Sequence, residues 1–245
     1  MPENIAEQTD VVILAGGKGA RLRPLTTVFP KPLVPLGDRP VLDILLTRLA
    51  RTGFRKAVLC TGYLEELLMA VVGNGSKYGL EVRYSHEDAP LGTAGPLGNI
   101  PELSETFLVM NGDLLTTLSF TDMLAFHHAQ RAAATIAVFR RDVRIDFGVI
   151  ESSGDGEFLN YREKPEYHFE VSMGVNVLNR SVLDHVRQGE YTDMPDLILR
   201  VHRAGGRVRC YREDCHWLDI GRMEDYALAQ EQFTQNEQIF LGGQQ

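Results

Sequence analysis

Residues Val11 to Leu14 form a short, wholly apolar run that delivers the chain to the adjacent glycines Gly16 and Gly17. With no alternation and too little length for a helix, such a run fits a buried parallel strand that hands the chain to a loop at its carboxyl end. The loop is unusual in its charge. Between Leu14 and Pro40 stand five basic side chains (Lys18, Arg21, Arg23, Lys31 and Arg39) against a single acid, Asp38. The chain as a whole has a formal net charge of −8 over 245 residues. So positive a loop in so acidic a body points to a bound polyanion, which glycine backbone N–H groups can approach closely. Two common phosphate motifs do not fit. The Gly-Lys-Ser/Thr ending of a P-loop is absent, and Leu22 stands where the dinucleotide fingerprint needs its third glycine.

The acidic balance argues against general nucleic-acid or anionic-membrane binding, which need positive charge spread over a face. A hydrophobic content of 44% is enough for a buried core. The length suits one domain over residues 1–245, with 1–10 and 242–245 expected as flexible ends. No apolar run is long enough to cross a bilayer. The opening MPENIAEQTD lacks the basic and apolar regions of a signal peptide, so a cytoplasmic setting is expected. Cys60, Cys210 and Cys215 show no CxxC spacing and are expected as reduced thiols, and no His/Cys spacing suggests zinc.

Strand and helix signals alternate along the first half. After the strand at Val11 to Leu14, Pro40 to Arg51 reads as a helix, with Leu42, Leu45, Leu46 and Leu49 at helical spacing. Ala57 to Cys60 reads as a strand, Leu64 to Val72 as a helix and Glu81 to Ser85 as a strand. Phe107 to Met110 is an apolar strand running into Asn111, Gly112 and Asp113. In the second half, Phe120 to Gln130 and Met223 to Phe233 read as helices, and Ala134 to Phe139 and Val171 to Leu178 as strands. Gly154 to Gly156 suggests a hairpin turn. This alternation predicts an α/β fold, a mostly parallel central sheet flanked by helices on both faces. Ligands of such sheets sit beyond the carboxyl ends of the strands, where the glycine loop and Asp113 both fall.

Several short motifs recur in a fixed order: LAGGKGARLRPLT and FPKP near the start, then PLGTAGPL from Pro90, NGD ending at Asp113, EKP at Glu163 to Pro165, SMGVNVL from Ser172 and WLDIG from Trp217. In that order they resemble the sugar-1-phosphate nucleotidylyltransferases, and the likeness spans nearly the whole chain. It implies a nucleotide-diphospho-sugar transferase fold, a Rossmann-like α/β/α sandwich. It also implies transfer of a nucleotidyl group from an NTP to a sugar 1-phosphate, with magnesium as the cofactor and self-association possible. Arg21 and Lys31 would meet the phosphates, and Asp113 and Asp219 would be both catalytic and the magnesium ligands. Leu14, Ala15, Gly16, Gly17, Glu87, Gly92 and Thr93 would meet the nucleotide. Glu163 and Lys164 would meet the sugar and its phosphate, with Gly174 and Asn176 lining the sugar pocket.

Two positions depart from the common pattern. Ala20 stands where a threonine often precedes the arginine, and Ser172 where asparagine is common. Glu87 stands where pyrimidine-using relatives carry glutamine; a carboxylate can accept from N1–H and N2–H₂ of guanine, which favours GTP. Mannose, heptose and glucosamine 1-phosphates are the sugars that the resemblance suggests. Uridylyl or thymidylyl transfer is the alternative, and a catalytically silent nucleotide-sugar-binding subunit is the alternative of another class. A glycosyltransferase of related fold would be expected to show a DxD-type metal motif, and NGD offers only Asp113.

Overall fold

The computed structural model describes residues 5–243; the terminal residues 1–4 and 244–245, part of the expected flexible ends, lie outside them. Its strands are β1 (Asp10–Leu14), β2 (Pro35–Leu36), β3 (Arg39–Pro40), β4 (Lys56–Thr61), β5 (Glu81–His86), β6 (Thr106–Asn111) and β7 (Leu114–Thr116). They continue with β8 (Ala134–Arg144), β9 (Val149–Ser152), β10 (Phe158–Arg162), β11 (Glu166–Asn179), β12 (Val208–Arg212) and β13 (Trp217–Asp219). The helices are α1 (Ile5–Gln8), α2 (Val41–Arg51), α3 (Glu65–Val72), α4 (Phe120–Gln130), α5 (Met194–Arg203) and α6 (Met223–Phe240).

Seven strands form the central sheet in the order β12-β8-β11-β6-β1-β4-β5. β11 alone runs against its two neighbours, β6 and β8, and every other pairing in this sheet is parallel. The mostly parallel sheet expected from the sequence is therefore what forms. Its central strands are buried on both faces, and β1 shows how. Val11 and Ile13 pack with Leu42, Leu46 and Leu68 of α2 and α3, while Val12 points the other way and joins Leu97, Leu197 and Val201. Each face thus receives its own apolar layer, the condition for a stable α/β/α arrangement.

A third apolar cluster lies apart from the sheet and matters more for function. Ala229, Phe233 and Phe240 of α6 pack on Leu22, Leu36 and Ile44, so α6 covers the segment that follows the glycine loop. Hydrogen bonds fix the register. Tyr226 Oη and Gln230 Nε2 donate to the Pro35 carbonyl at 2.9 and 3.0 Å, and Gly37 N–H donates to Gln230 Oε1 at 2.8 Å. Buried Arg48 ties α2 to the far end of α6 by donating to the carbonyls of Thr117, Leu118 and Ile239. Three carbonyl acceptors around one guanidinium offset much of the cost of burying it.

Some expectations change in extent. α6 runs on to Phe240, and β8 and β11 reach out to Arg144 and back to Glu166 as a solvent-exposed two-stranded ribbon. That ribbon carries the β9–β10 hairpin, whose turn holds Gly154 to Gly156 as expected. At the N-terminal end α1 packs onto the fold, with Ala6 buried and Asp10 opening β1. No helix among the described residues is long and apolar enough to cross a membrane.

Candidate active site

The carboxyl ends of β1 and β6 lie side by side, with Leu14 opposite Asn111. Beyond β1, the Ala15 N–H donates to the Cys60 carbonyl at 2.8 Å, and the Leu14 carbonyl accepts from Gly112 N–H at 2.9 Å. Gly16 then passes so close to Glu87 that a Cβ would stand 2.8 Å from Oε1, whereas a Cβ on Gly17 would meet nothing. The first glycine makes room for the carboxylate and the second leaves open space above the loop. Burial raises the Glu87 carboxyl above its ordinary range, partly opposed by the Leu91 N–H that it accepts at 3.1 Å.

The loop next folds back on itself at Gly19, whose φ of +58° is the left-handed conformation that glycine adopts without strain. Any Cβ there would press on Lys31 and Thr26 at 3.0 Å. This close return carries Lys31 inward, with Pro30 and Pro32 restricting the backbone on either side. Lys31 Nζ pairs with Asp113 Oδ2 and lies 3.8 Å from Asp219 Oδ1.

Two short strands bring those aspartates together across more than a hundred residues. β7, just after Asp113, pairs antiparallel with β13, and the Ile220 N–H donates to the Asp113 carbonyl at 3.2 Å. Burial, then the nearby charge of Asp113, holds the Asp219 carboxyl above its ordinary range, while Lys31 and Arg21 pull it back. Arg21 reaches the same place from the glycine loop. A Cβ on Gly221 would stand 3.4 Å from Asp219 Oδ2, 3.6 Å from Asp225 Oδ2 and 3.7 Å from Arg21 Nη2. All four charged residues expected to be catalytic therefore gather in one place. Asp225, which sequence reasoning passed over, is a fifth.

Beside this cluster opens a cavity of about 540 Å³ lined by Leu14, Thr93, Asn111, Gly174, Asn176, Trp217 and Asp219, among others. Gly174 has φ +72°, and a Cβ on it would stand 2.5 Å from Asn111 Nδ2. The glycine lets the Asn111 amide lie flat over β11, where the register with β8 breaks between Ser172 and Asn176. Gly174 and Asn176 thus line a pocket as expected. Asn111, named in the sequence only as part of the NGD motif, is a further lining residue.

Gly92 and Thr93 pack against the segment that opens α5, and Thr93 also lines the cavity. Gly92 at φ +80° leaves no room for a Cβ, which would stand 2.6 Å from the Thr192 carbonyl. Asp193 Oδ1 accepts from the Thr93 N–H at 3.1 Å and from its hydroxyl at 3.3 Å, and that hydroxyl accepts from Met194 N–H at 2.7 Å. Thr93 therefore caps the start of α5 from a hundred residues away, and Asp193 anchors the loop. The helix itself, not anticipated from the sequence, supplies Met194, Pro195, Ile198 and Leu199 to the cavity wall. Its signal was present in Pro195 near the first position and in Leu197 and Val201 one turn apart.

Glu163 and Lys164 are not brought to this cavity. They sit exposed beyond β10 on the ribbon, where Lys164 has φ +44° and Glu163 accepts from Tyr161 Oη at 3.1 Å. The ribbon projects into solvent, and nothing packs these two residues toward the cluster. His86 is occupied by Glu65, 2.6 Å from Nδ1.

The family model described as nucleotidyl transferase matches residues 10–236. Mannose-1-phosphate guanylyltransferase of Mycobacterium tuberculosis is 33% identical over 225 residues, 89% of this chain and 63% of that protein. UTP–glucose-1-phosphate uridylyltransferase of Synechocystis is 30% identical over 235 residues, 88% of this chain and 61% of that protein. The chain thus spans about three-fifths of the length of these curated relatives. Its fold is shared with the crystal structure of HddC from Yersinia pseudotuberculosis complexed with GMP-PN, at TM-score 0.72 and 24% identity over 92% of this chain and 99% of that one. A match that runs from the strand carrying the glycine loop into the helix that covers it places the chain in the nucleotidyl transferase family.

Proposed function

We propose that the chain transfers a nucleotidyl group from an NTP, GTP by preference, to a sugar 1-phosphate, giving an NDP-sugar and pyrophosphate. The observation that carries this reading is the convergence of Arg21, Lys31, Asp113 and Asp219 beside the mouth of the cavity. The attacking oxygen belongs to a phosphate monoester with a second pKa near ~6, so it is largely dianionic at neutral pH and needs no general base. It bonds to the α-phosphorus as the bond from that phosphorus to the β-phosphate bridging oxygen breaks, and pyrophosphate leaves with that electron pair. The task left to the protein is to hold two anions together and stabilise the charge that shifts between them. Arg21 can span oxygens of adjacent phosphates with its planar fork, and Lys31 supplies a compact charge on a constrained backbone.

The residues present fit a magnesium ion. Asp113 Oδ1 is buried without a hydrogen-bond partner, Asp219 lies beside it, and magnesium uses one or two carboxylates with phosphate oxygens and water. Asp113 and Asp219 would hold it, and its chemistry there is to neutralise phosphate charge. Glu87 beside Gly16 supports guanine, as do relatives such as the Mycobacterium tuberculosis protein. Uridine is the second reading, supported by the Synechocystis relative. A pyrophosphate-release assay crossing GTP, UTP, dTTP, CTP and ATP with a panel of sugar 1-phosphates tests the proposal. Release that needs both substrates and is strongest with GTP is expected. No release from any pair would overturn it.

A further inference from the structure

The cavity lining is of two kinds. β6 and β11 contribute Asn111, Ser172 and Asn176, and β13 ends in Asp219, all able to meet sugar hydroxyls. The rest is apolar along α5, at Ile136 of β8 (the cross-strand neighbour of Asn176) and at Trp217 of β13, and the Thr93 hydroxyl at the start of α5 is already bonded to Asp193 and to the Met194 N–H. Met194, Pro195, Ile198 and Leu199 are all apolar, and the Trp217 Nε1–H is already donated to the Met173 carbonyl at 2.9 Å. The core accounts for only part of this composition. Leu197 and Val201 are the buried stripe that fastens α5 to the sheet, and Met194 and Ile198 pack against the same cluster, while Leu199 stays 45% exposed at the cavity. Apolar side chains held at a concave, half-open wall are stabilised by an apolar occupant.

We propose, resting on the sugar 1-phosphate reading above, that the sugar carries a methyl group where a common hexose has only hydroxyls. That group would be the C-methyl of a deoxy sugar or the methyl of an N-acetyl substituent, lodged against Ile198, Leu199 and Ile136. One aromatic ring, Trp217, suffices for the C–H face of a pyranose; four further aliphatic residues on a helix form a separate apolar surface. A cavity of 540 Å³ lies within the ~300–1,000 Å³ that holds a drug-sized ligand, leaving room for a substituent beside the ring. A hydroxyl turned to this wall would give up its water and find no partner, whereas a methyl group loses nothing there.

Trp217 is the chain's one tryptophan, so its emission reports on this cavity without any need for turnover. Wild type is titrated with glucose, 6-deoxyglucose and N-acetylglucosamine 1-phosphates and with the matched mannose set, and pyrophosphate release with GTP is measured for each. A methyl-bearing member is expected to bind at least about four-fold more tightly than its hydroxylated parent, the worth of one buried methyl group. Whether the deoxy or the acetyl compound shows the gain tells the two sources apart. Leu199→Asn and Ile198→Asn should each shrink the preference; Leu199 is exposed, so that variant should fold. Equal or tighter binding of the parent in both sets, or no emission change with any sugar phosphate, would overturn the proposal. Turnover of the parent without a methyl preference refutes this inference alone. Selective binding without pyrophosphate release upholds it and refutes the catalytic reading.

Discussion

Removing one carboxylate outside the charged cluster should loosen the loop from Gly92 to Gly95. Asp193 Oδ1 holds the N–H and the hydroxyl of Thr93, and Oδ2 accepts from exposed Tyr191 Oη at 3.0 Å. In Asp193→Ala the tyrosine turns to water at little cost, and the Thr93 hydroxyl keeps its bond to Met194. The Thr93 N–H is left behind in a loop pressed against Thr192, where it has no other partner. Loss of a hydrogen bond to a charged acceptor costs about 1.5–3 kcal/mol. In a domain of this size each kcal/mol lowers Tm by about 2–4 °C, so a drop of roughly 3–12 °C is expected. Because the loop from Gly92 to Gly95 is zipped to residues 190–194, the same change should raise the KM for GTP more than it lowers kcat. Asp193→Asn keeps an acceptor oxygen and should recover much of both effects. Differential scanning calorimetry with initial-rate kinetics measures them together. An alanine variant that melts with the wild type and keeps its KM would show that the backbone contacts alone hold the loop.

Asp219→Asn should abolish magnesium-dependent turnover in the pyrophosphate assay, and Asp113→Ala likewise, both without unfolding as judged by circular dichroism. Asp219 also makes a signed prediction about pH. Its carboxyl is raised by burial and by Asp113, so the folded protein binds that proton more tightly than the unfolded chain does. Its contribution to stability is therefore full below the unfolded carboxylate pKa and lost as pH rises through the raised value. From the ordinary carboxylate range upward in pH, Asp219→Asn should flatten that part of the Tm profile, and an unchanged profile would contradict the assignment. Glu87→Gln should cut kcat/KM for GTP about ten-fold or more and favour a pyrimidine NTP, read from the nucleotide panel; unchanged selectivity would remove Glu87 from base recognition. Lys164 stands exposed outside the cavity lining, so Lys164→Ala should leave the KM for the sugar 1-phosphate unchanged; a raised KM would show that it meets the substrate.

Legibility in the sequence followed how local each feature is. β1, β4 and β6 are buried on both faces, so their apolar runs are continuous, and they were found almost to the residue. Lys31, Asp113 and Asp219 were recoverable because each stands in a motif of its own, although no local pattern shows that β7 and β13 pair to join them. The outer halves of β8 and β11 were not legible. Arg140 to Arg144 and Glu166 to Glu170 face solvent on both sides and lack the alternation that marks a half-buried strand. α5 was missed although Met194, Leu197, Ile198 and Val201 stand at helical spacing, with Leu199 off that stripe at the cavity. Gly92 and Thr93 carried a motif-level expectation of ligand contact, yet the tight packing against Thr192 and Asp193 depends on a partner a hundred residues away. The placement of Glu163 and Lys164 depends on the course of the ribbon, which a three-residue motif does not encode.

The proposed transfer of a nucleotidyl group from an NTP to a sugar phosphate at the Arg21–Lys31–Asp113–Asp219 cluster can be followed phosphorus by phosphorus. Phosphorus-31 NMR of a reaction containing GTP, magnesium and an accepted sugar 1-phosphate tests it most directly, since every phosphorus is seen at once. A diphosphate diester and free pyrophosphate should grow in equal amounts as GTP and sugar phosphate decline together, and Asp219→Asn should stop all four changes. Orthophosphate as the product, or loss of GTP with the sugar phosphate signal constant, would contradict the proposed transfer.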